Sequence, residues 1–265
     1  MLFALQQNLN LSAMLPHDAW GWAEAVAFSP DGKLLAVSHT AGQISLYDLT
    51  LKPIEERILV GLDTTSDHAT SRTQVAFSPD GRYIAATVHN GPDSLHEVAV
   101  WDSQSLELVA TGPEGWNQFA FSADGEHLIG RDRTRVSSWK FAPGHPLEEV
   151  ASTVIGDDSN LAYAPMAVHP LDSLVAYGSA EGLINFWDPD SGETVSLADE
   201  RVNESIVHLT FSPDGTTLAI STNSSLHLWN MARREMVGTI QDVLPMVAFS
   251  RDGQKLLVAQ RDESL

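Results

Sequence analysis

The sequence predicts an all-β fold assembled from repeated four-stranded antiparallel units, and three observations carry that prediction. One stretch returns along the chain: FSPDGKLLAVS at Phe28 recurs as FSPDGRYIAAT at Phe77, FSADGEHLIGR at Phe121, VHPLDSLVAYGS at Val168, FSPDGTTLAIST at Phe211 and FSRDGQKLLVAQ at Phe249. The starts lie 49, 44, 47, 43 and 38 residues apart, a period that marks an array. Five of the six copies are followed, 18 to 24 residues on, by a strand ending in an aromatic: ISLYD, VAVWD, VSSWK, INFWD and LHLWN. Finally, the apolar runs are short and punctuated by Pro and Gly, which argues against helices.

One unit can be justified strand by strand. Val26 and Phe28 point to one face of the first strand and Ala25 and Ala27 to the other. Both faces are apolar, so the strand is expected to be covered on both sides. Ser29-Pro30-Asp31-Gly32 then reverses the chain: Pro30 presets φ, Asp31 bonds its own backbone, and Gly32 supplies a positive φ. LLAV follows as a second buried strand, QISLYD as a third with alternating character, and the more polar PIEERILV as a fourth that returns outward. Four antiparallel strands in about 45 residues make one β-propeller blade. A blade with two apolar faces must stack on neighbours.

The SPDG turns and the YD, WD and WN strand ends give the chain a resemblance to the WD-repeat family of β-propellers over nearly its whole length. The resemblance implies a rigid disc whose loops and rim hold peptides or other domains. It also implies packing roles for the repeat aromatics Tyr47, Trp101, Trp139, Trp187 and Trp229. Family members often tie blades with an Asp-His-Ser/Thr-Trp network. Here Gly42-Gln43, Glu181-Gly182 and Asn223-Ser224 occupy the place of its Asp, so stability is expected to rest on stacking.

Residues 1–265 read as a single domain. LFALQ and LSAML near the N-terminus read as strands around a QNLN turn, while the last repeat supplies only two strands. The expectation is a six-bladed ring in which residues 244–260 pair with strands near residues 2–15, which removes exposed sheet edges. The alternative is a truncated propeller. Blade three diverges most, with Arg131, Arg133 and Arg135 crowding one loop and Lys140 following Trp139. In blade four Asp172 stands where other copies have Gly, and a left-handed Asp is expected to preserve the turn. In blade five MARREMVGTI is expected as the outer strand.

Composition narrows function. The net charge is −20, from 35 acids against 15 bases, which argues against nucleic acid and anionic membrane as partners. It suits a solvated acidic surface or a basic protein partner. There is no cysteine, hence no disulfide framework or thiolate metal site, which fits a cytoplasmic location. The N-terminus lacks the basic region of a signal peptide, and no apolar run approaches the roughly 18 residues that span a bilayer.

The loops joining the second strand to the third, and the fourth to the next blade, share one face. On it the partner-binding candidates are Trp20, His89, Trp116, Arg131, Asp157, Asp158 and Glu181, combining aromatic anchors with charge. No GxSxG, HExxH or phosphate-binding loop is present, and the histidines sit on separate loops without ligand spacing. No catalytic residue, metal or cofactor is therefore expected. A non-catalytic interaction scaffold is the leading reading. The alternative is a hydrolase or lactonase-like propeller using acids around a central channel.

Overall fold

A computed structural model describes residues 23–39, 43–51, 55–59, 74–89, 96–116, 118–142, 145, 147–155, 165–178, 182–196, 202 and 204–260. Every regular element among them is a strand, so no described helix is long and apolar enough to cross a membrane.

Five four-stranded antiparallel sheets follow one another, each in simple sequence order. Blade one holds β1 (Ala23–Phe28), β2 (Leu34–His39), β3 (Ile44–Asp48) and β4 (Glu56–Leu59). Blade two holds β5 (Val75–Phe77), β6 (Tyr83–His89), β7 (His96–Asp102) and β8 (Leu108–Glu114). Blade three holds β9 (Gln118–Phe121), β10 (His127–Arg131), β11 (Arg135–Lys140) and β12 (Glu148–Val154). Blade four holds β13 (Met166–Val168), β14 (Val175–Gly178), β15 (Ile184–Trp187) and β16 (Thr194–Ser196). Blade five holds β17 (His208–Phe211), β18 (Thr217–Ser221), β19 (Ser225–Asn230) and β20 (Glu235–Gln241). A hairpin of β21 (Val243–Phe249) and β22 (Leu256–Gln260) ends the series. The expected partners of this hairpin, near residues 2–15, lie outside the described residues.

The first strands of successive blades run beside one another, β1 by β5, β5 by β9, β9 by β13, β13 by β17 and β17 by β21. The second strands are the most deeply buried, and their small residues let blades approach: Ala36, Ala85, Ala86, Ala176 and Ala219 are fully covered. Between blades, bulky side chains fill the remaining space. Trp101, Trp187 and Trp229 are at most 2% exposed, as is Tyr47, and Trp139 is half-buried against the core between blades two and three. Burying side chains of this size supplies about 1.5–3 kcal/mol each.

The turns between first and second strands repeat one hydrogen-bond scheme. In five of them a serine hydroxyl donates to the aspartate two residues on, at 2.5 to 2.7 Å: Ser29–Asp31, Ser78–Asp80, Ser122–Asp124, Ser212–Asp214 and Ser250–Asp252. The same serine oxygen accepts the N–H five residues on, closing the turn. The turns also touch between blades. A Cβ placed on Gly81 would meet Pro30 at 3.3 Å, and one on Gly125 would meet Pro79 at 3.4 Å.

Blade four keeps its turn by other means than a left-handed Asp. The described non-glycine residues with positive φ are Leu106, Arg234 and Asp242; Asp172 is not among them. Instead Asp172 accepts the Leu174 N–H at 2.9 Å and lies 3.0 Å from His169. His169 Nε2 donates to the Gly215 carbonyl at 3.1 Å, tying this turn to the next blade. Blade five departs from expectation as well. MARR forms the turn, and β20 begins only at Glu235, because Arg234 takes φ 55° and its N–H bonds back to Asn230.

Candidate interaction surface

Antiparallel order puts the Ser-Asp turns on one face and the loops between second and third strands on the other, together with the blade-to-blade connections. Of the seven residues expected to meet a partner there, Trp20, Asp157, Asp158 and Glu181 lie outside the described residues. His89 ends β6 opposite His96, the first residue of β7.

Trp116 and Arg131 sit beneath that face, and this corrects the expectation that they offer their side chains to a partner. Trp116, in the connection from β8 to β9, is 3% exposed and belongs to the core between blades two and three. Its indole occupies space that Gly130 leaves open: a Cβ on Gly130 would lie 2.1 Å from the ring. Trp139 meets it edge-on at 6.2 Å. Arg131 is fully buried at the end of β10. Its Nη1 donates to the carbonyls of Pro165 at 3.0 Å and Gly178 at 2.7 Å, and its guanidinium lies 5.8 Å from the centre of the Tyr177 ring. Both acceptors belong to blade four, so this arginine joins two blades.

Two polar chains run through blades one and five. In blade one, His39 Nε2 is 3.0 Å from Ser45 Oγ, and Ser45 donates to Glu56 Oε1 at 2.5 Å. Tyr47 donates to the same carboxylate oxygen at 3.1 Å. Because the serine proton is committed to Glu56, His39 is the donor to Ser45. Ser45 and His39 are at most 2% exposed. In blade five, Ser225 joins Thr222 at 2.8 Å and His227 at 3.0 Å, and His227 reaches Thr239 at 3.0 Å. The Thr222 and Ser224 hydroxyls hold the Glu204 carboxyl below its usual range. Partial burial pushes the His227 imidazole down. Among the described residues, no three His, Asp or Glu side chains converge as metal ligands.

The first strands are clamped by glutamine. Gln74 bonds both backbone groups of Phe119 in blade three, and the Gln118 side-chain carbonyl accepts the Met166 N–H of blade four at 2.7 Å. His208 takes the corresponding position in blade five. Its Nδ1 is buried with no hydrogen-bond partner among the described residues, and burial lowers its pKa. It borders an apolar groove of about 440 Å³ whose other walls include Met246, Val247, Leu257 and Val258. Met246 and Leu257 are 69% and 73% exposed, and Val26 and Phe28 are similarly open on blade one, so among the described residues β1 is covered on one face and not on both as its sequence suggests.

Two comparisons with known proteins bear on this architecture. The family described as "WD domain, G-beta repeat" matches residues 200–230, which include β17, β18 and β19. The chain is also similar to "Activating molecule in BECN1-regulated autophagy protein 1A" of Danio rerio, at 32% identity over 100 residues. That alignment covers 36% of this chain and 8% of the relative.

Proposed function

The chain is a WD-repeat protein, and from that premise we propose a non-catalytic scaffold that holds a basic peptide or partner domain on an acidic loop face. The observation carrying this reading is the excess of 35 acids over 15 bases on a frame of stacked blades. Many short loops on a stiff support give a broad surface without a chemical centre. Acids on such a surface speed the encounter with a basic partner and reject acidic ones. Asp157, Asp158 and Glu181, with Trp20 and His89, are the residues assigned to it. Nucleic acid, membrane and cofactors have no part in this reading, and a cytoplasmic location goes with it.

The hydrolase alternative has its nearest support in the His39–Ser45–Glu56 chain. A nucleophilic serine needs its proton withdrawn by a base and its oxygen open to substrate. Ser45 donates instead to Glu56, and its oxygen is enclosed. Those contacts describe a structural tie between β2, β3 and β4.

An array of synthetic peptides ranging from lysine- and arginine-rich to glutamate-rich tests the scaffold reading. Basic peptides are expected to be retained at about 50 mM salt and lost as screening rises. Retention that ignores peptide charge contradicts it.

A further inference from the structure

Between blades four and five, Leu174, Phe186, Val195, Trp229, Met231 and Arg234 line a cleft of about 220 Å³. Four of its walls, Leu174, Phe186, Trp229 and Met231, belong to the packed core between the two blades, so the floor is rigid and apolar. Val195 is 48% exposed at the mouth. The volume falls below the roughly 300–1,000 Å³ of pockets that enclose a drug-sized ligand. It suits one apolar side chain presented by a peptide.

Arg234 supplies the polar element, and its backbone is the unusual feature. Three turns between third and fourth strands share one scheme, in which the N–H of Leu106, Gly192 or Arg234 bonds the carbonyl four residues back. All three residues have positive φ, at 61°, 75° and 55°. Glycine adopts this conformation freely, whereas a residue with Cβ is strained by about 1–2 kcal/mol. Leu106 is compensated because its side chain packs against the core between blades one and two. Arg234 is exposed, so it lacks the burial that Leu106 has. A left-handed residue held at an exposed position is a reason to look for function.

Charge points the same way. Arg233-Arg234 is the one adjacent pair of basic residues in a chain of net charge −20. Arg233 pairs with Glu235 at 3.6 Å. Arg234 forms no ion pair with any described residue, and it lines the apolar cleft.

We propose that this cleft is a peptide-docking site for a short segment in which a bulky apolar residue is flanked by a carboxylate. The apolar side chain enters between Phe186, Trp229 and Val195, and the carboxylate pairs with Arg234. A guanidinium matches a carboxylate through two parallel hydrogen bonds. This site is separate from the acidic loop face and takes peptides of the opposite charge.

Panning a phage library of random dodecapeptides on the whole chain tests the proposal. The expected winners carry Leu, Ile, Phe or Met beside Asp or Glu. Their synthetic counterparts should bind Arg234→Glu and Val195→Glu at least about tenfold more weakly than the unsubstituted protein. Arg234→Gly separates binding from folding: it relieves the backbone, so its melting temperature should rise while peptide affinity falls. The proposal is overturned if no peptide is enriched, if the winners lack acids, or if they bind Arg234→Glu and Val195→Glu undiminished. Basic winners that fail to bind after Asp157→Lys would support the loop-face reading and not this one.

Discussion

Gln74 grips the backbone of Phe119 across the junction of blades two and three: its Nε2 donates to the Phe119 carbonyl at 2.7 Å while its Oε1 accepts the Phe119 N–H at 3.1 Å. One amide side chain thus satisfies both polar groups of a first-strand residue that would otherwise face a neighbouring blade. Gln118 repeats half of this contact on Met166. These ties join neighbouring blades at two successive junctions.

Removing the grip should be costly, because two backbone groups lose their partners in a partly buried setting. Gln74→Ala is expected to destabilise the protein by about 1–3 kcal/mol, and Gln118→Ala by about 1 kcal/mol. Urea denaturation of the two variants checks the order. Equal stability of Gln74→Ala and the unsubstituted chain would contradict the role.

Trp116 and Gly130 form a matched pair of large and absent side chains. Gly130→Ala forces a methyl into the indole and should cost about 1–3 kcal/mol or more. Adding Trp116→Leu should recover part of that loss, since neighbouring substitutions couple. A double-mutant cycle read by thermal denaturation measures the recovery, and strict additivity would rule out the pairing.

Leu106 and Arg234 share a backbone conformation but not surroundings. Arg234→Gly should raise stability by about 1 kcal/mol by relieving the left-handed strain. Leu106→Gly should lower it, because the same relief is outweighed by lost contact with the blade one–two core. Opposite shifts in melting temperature are expected.

The turn aspartates predict an acid response with a definite sign. The Ser29 hydroxyl, followed by the Lys33 N–H, lowers the Asp31 carboxyl to about 2, and Asp214 and Asp252 are lowered in the same manner. A carboxyl whose folded pKa is depressed stabilises the fold above its unfolded value, near 4, and that contribution disappears as pH falls toward 2. The stability gap between the unsubstituted protein and Asp31→Asn should therefore hold steady above about pH 5 and shrink between about pH 4 and 2. Urea melts across this window read it directly, and a gap independent of pH would contradict the turn scheme.

Much of the architecture is legible in the sequence because the turn chemistry is local. Ser, Asp and Gly within four residues specify the reversal, and the apolar runs on either side specify paired strands. Blade four shows the limit: the turn survives, but through His169 and Asp172 side chains and not through a left-handed Asp. The candidate site is less legible because burial at strand ends depends on distant residues. Trp116 reads as a loop aromatic until Gly130 is seen to vacate its space. Arg131 reads as an exposed loop cation, yet its carbonyl acceptors lie 34 and 47 residues further along. Arg234 carries a sequence signal in its alignment with Gly192, which becomes meaningful once both are seen at positive φ.

The central claim, that an acidic loop face recruits a basic partner, is tested most directly by a salt titration. Fluorescence polarisation of the best basic peptide from the array would be followed from about 50 to 500 mM salt, roughly a threefold range in screening length. The account predicts affinity that falls steadily with salt, and a weaker, flatter response after Asp157→Lys with Asp158→Lys. Affinity unchanged across that range, or undiminished by the two charge reversals, would contradict it.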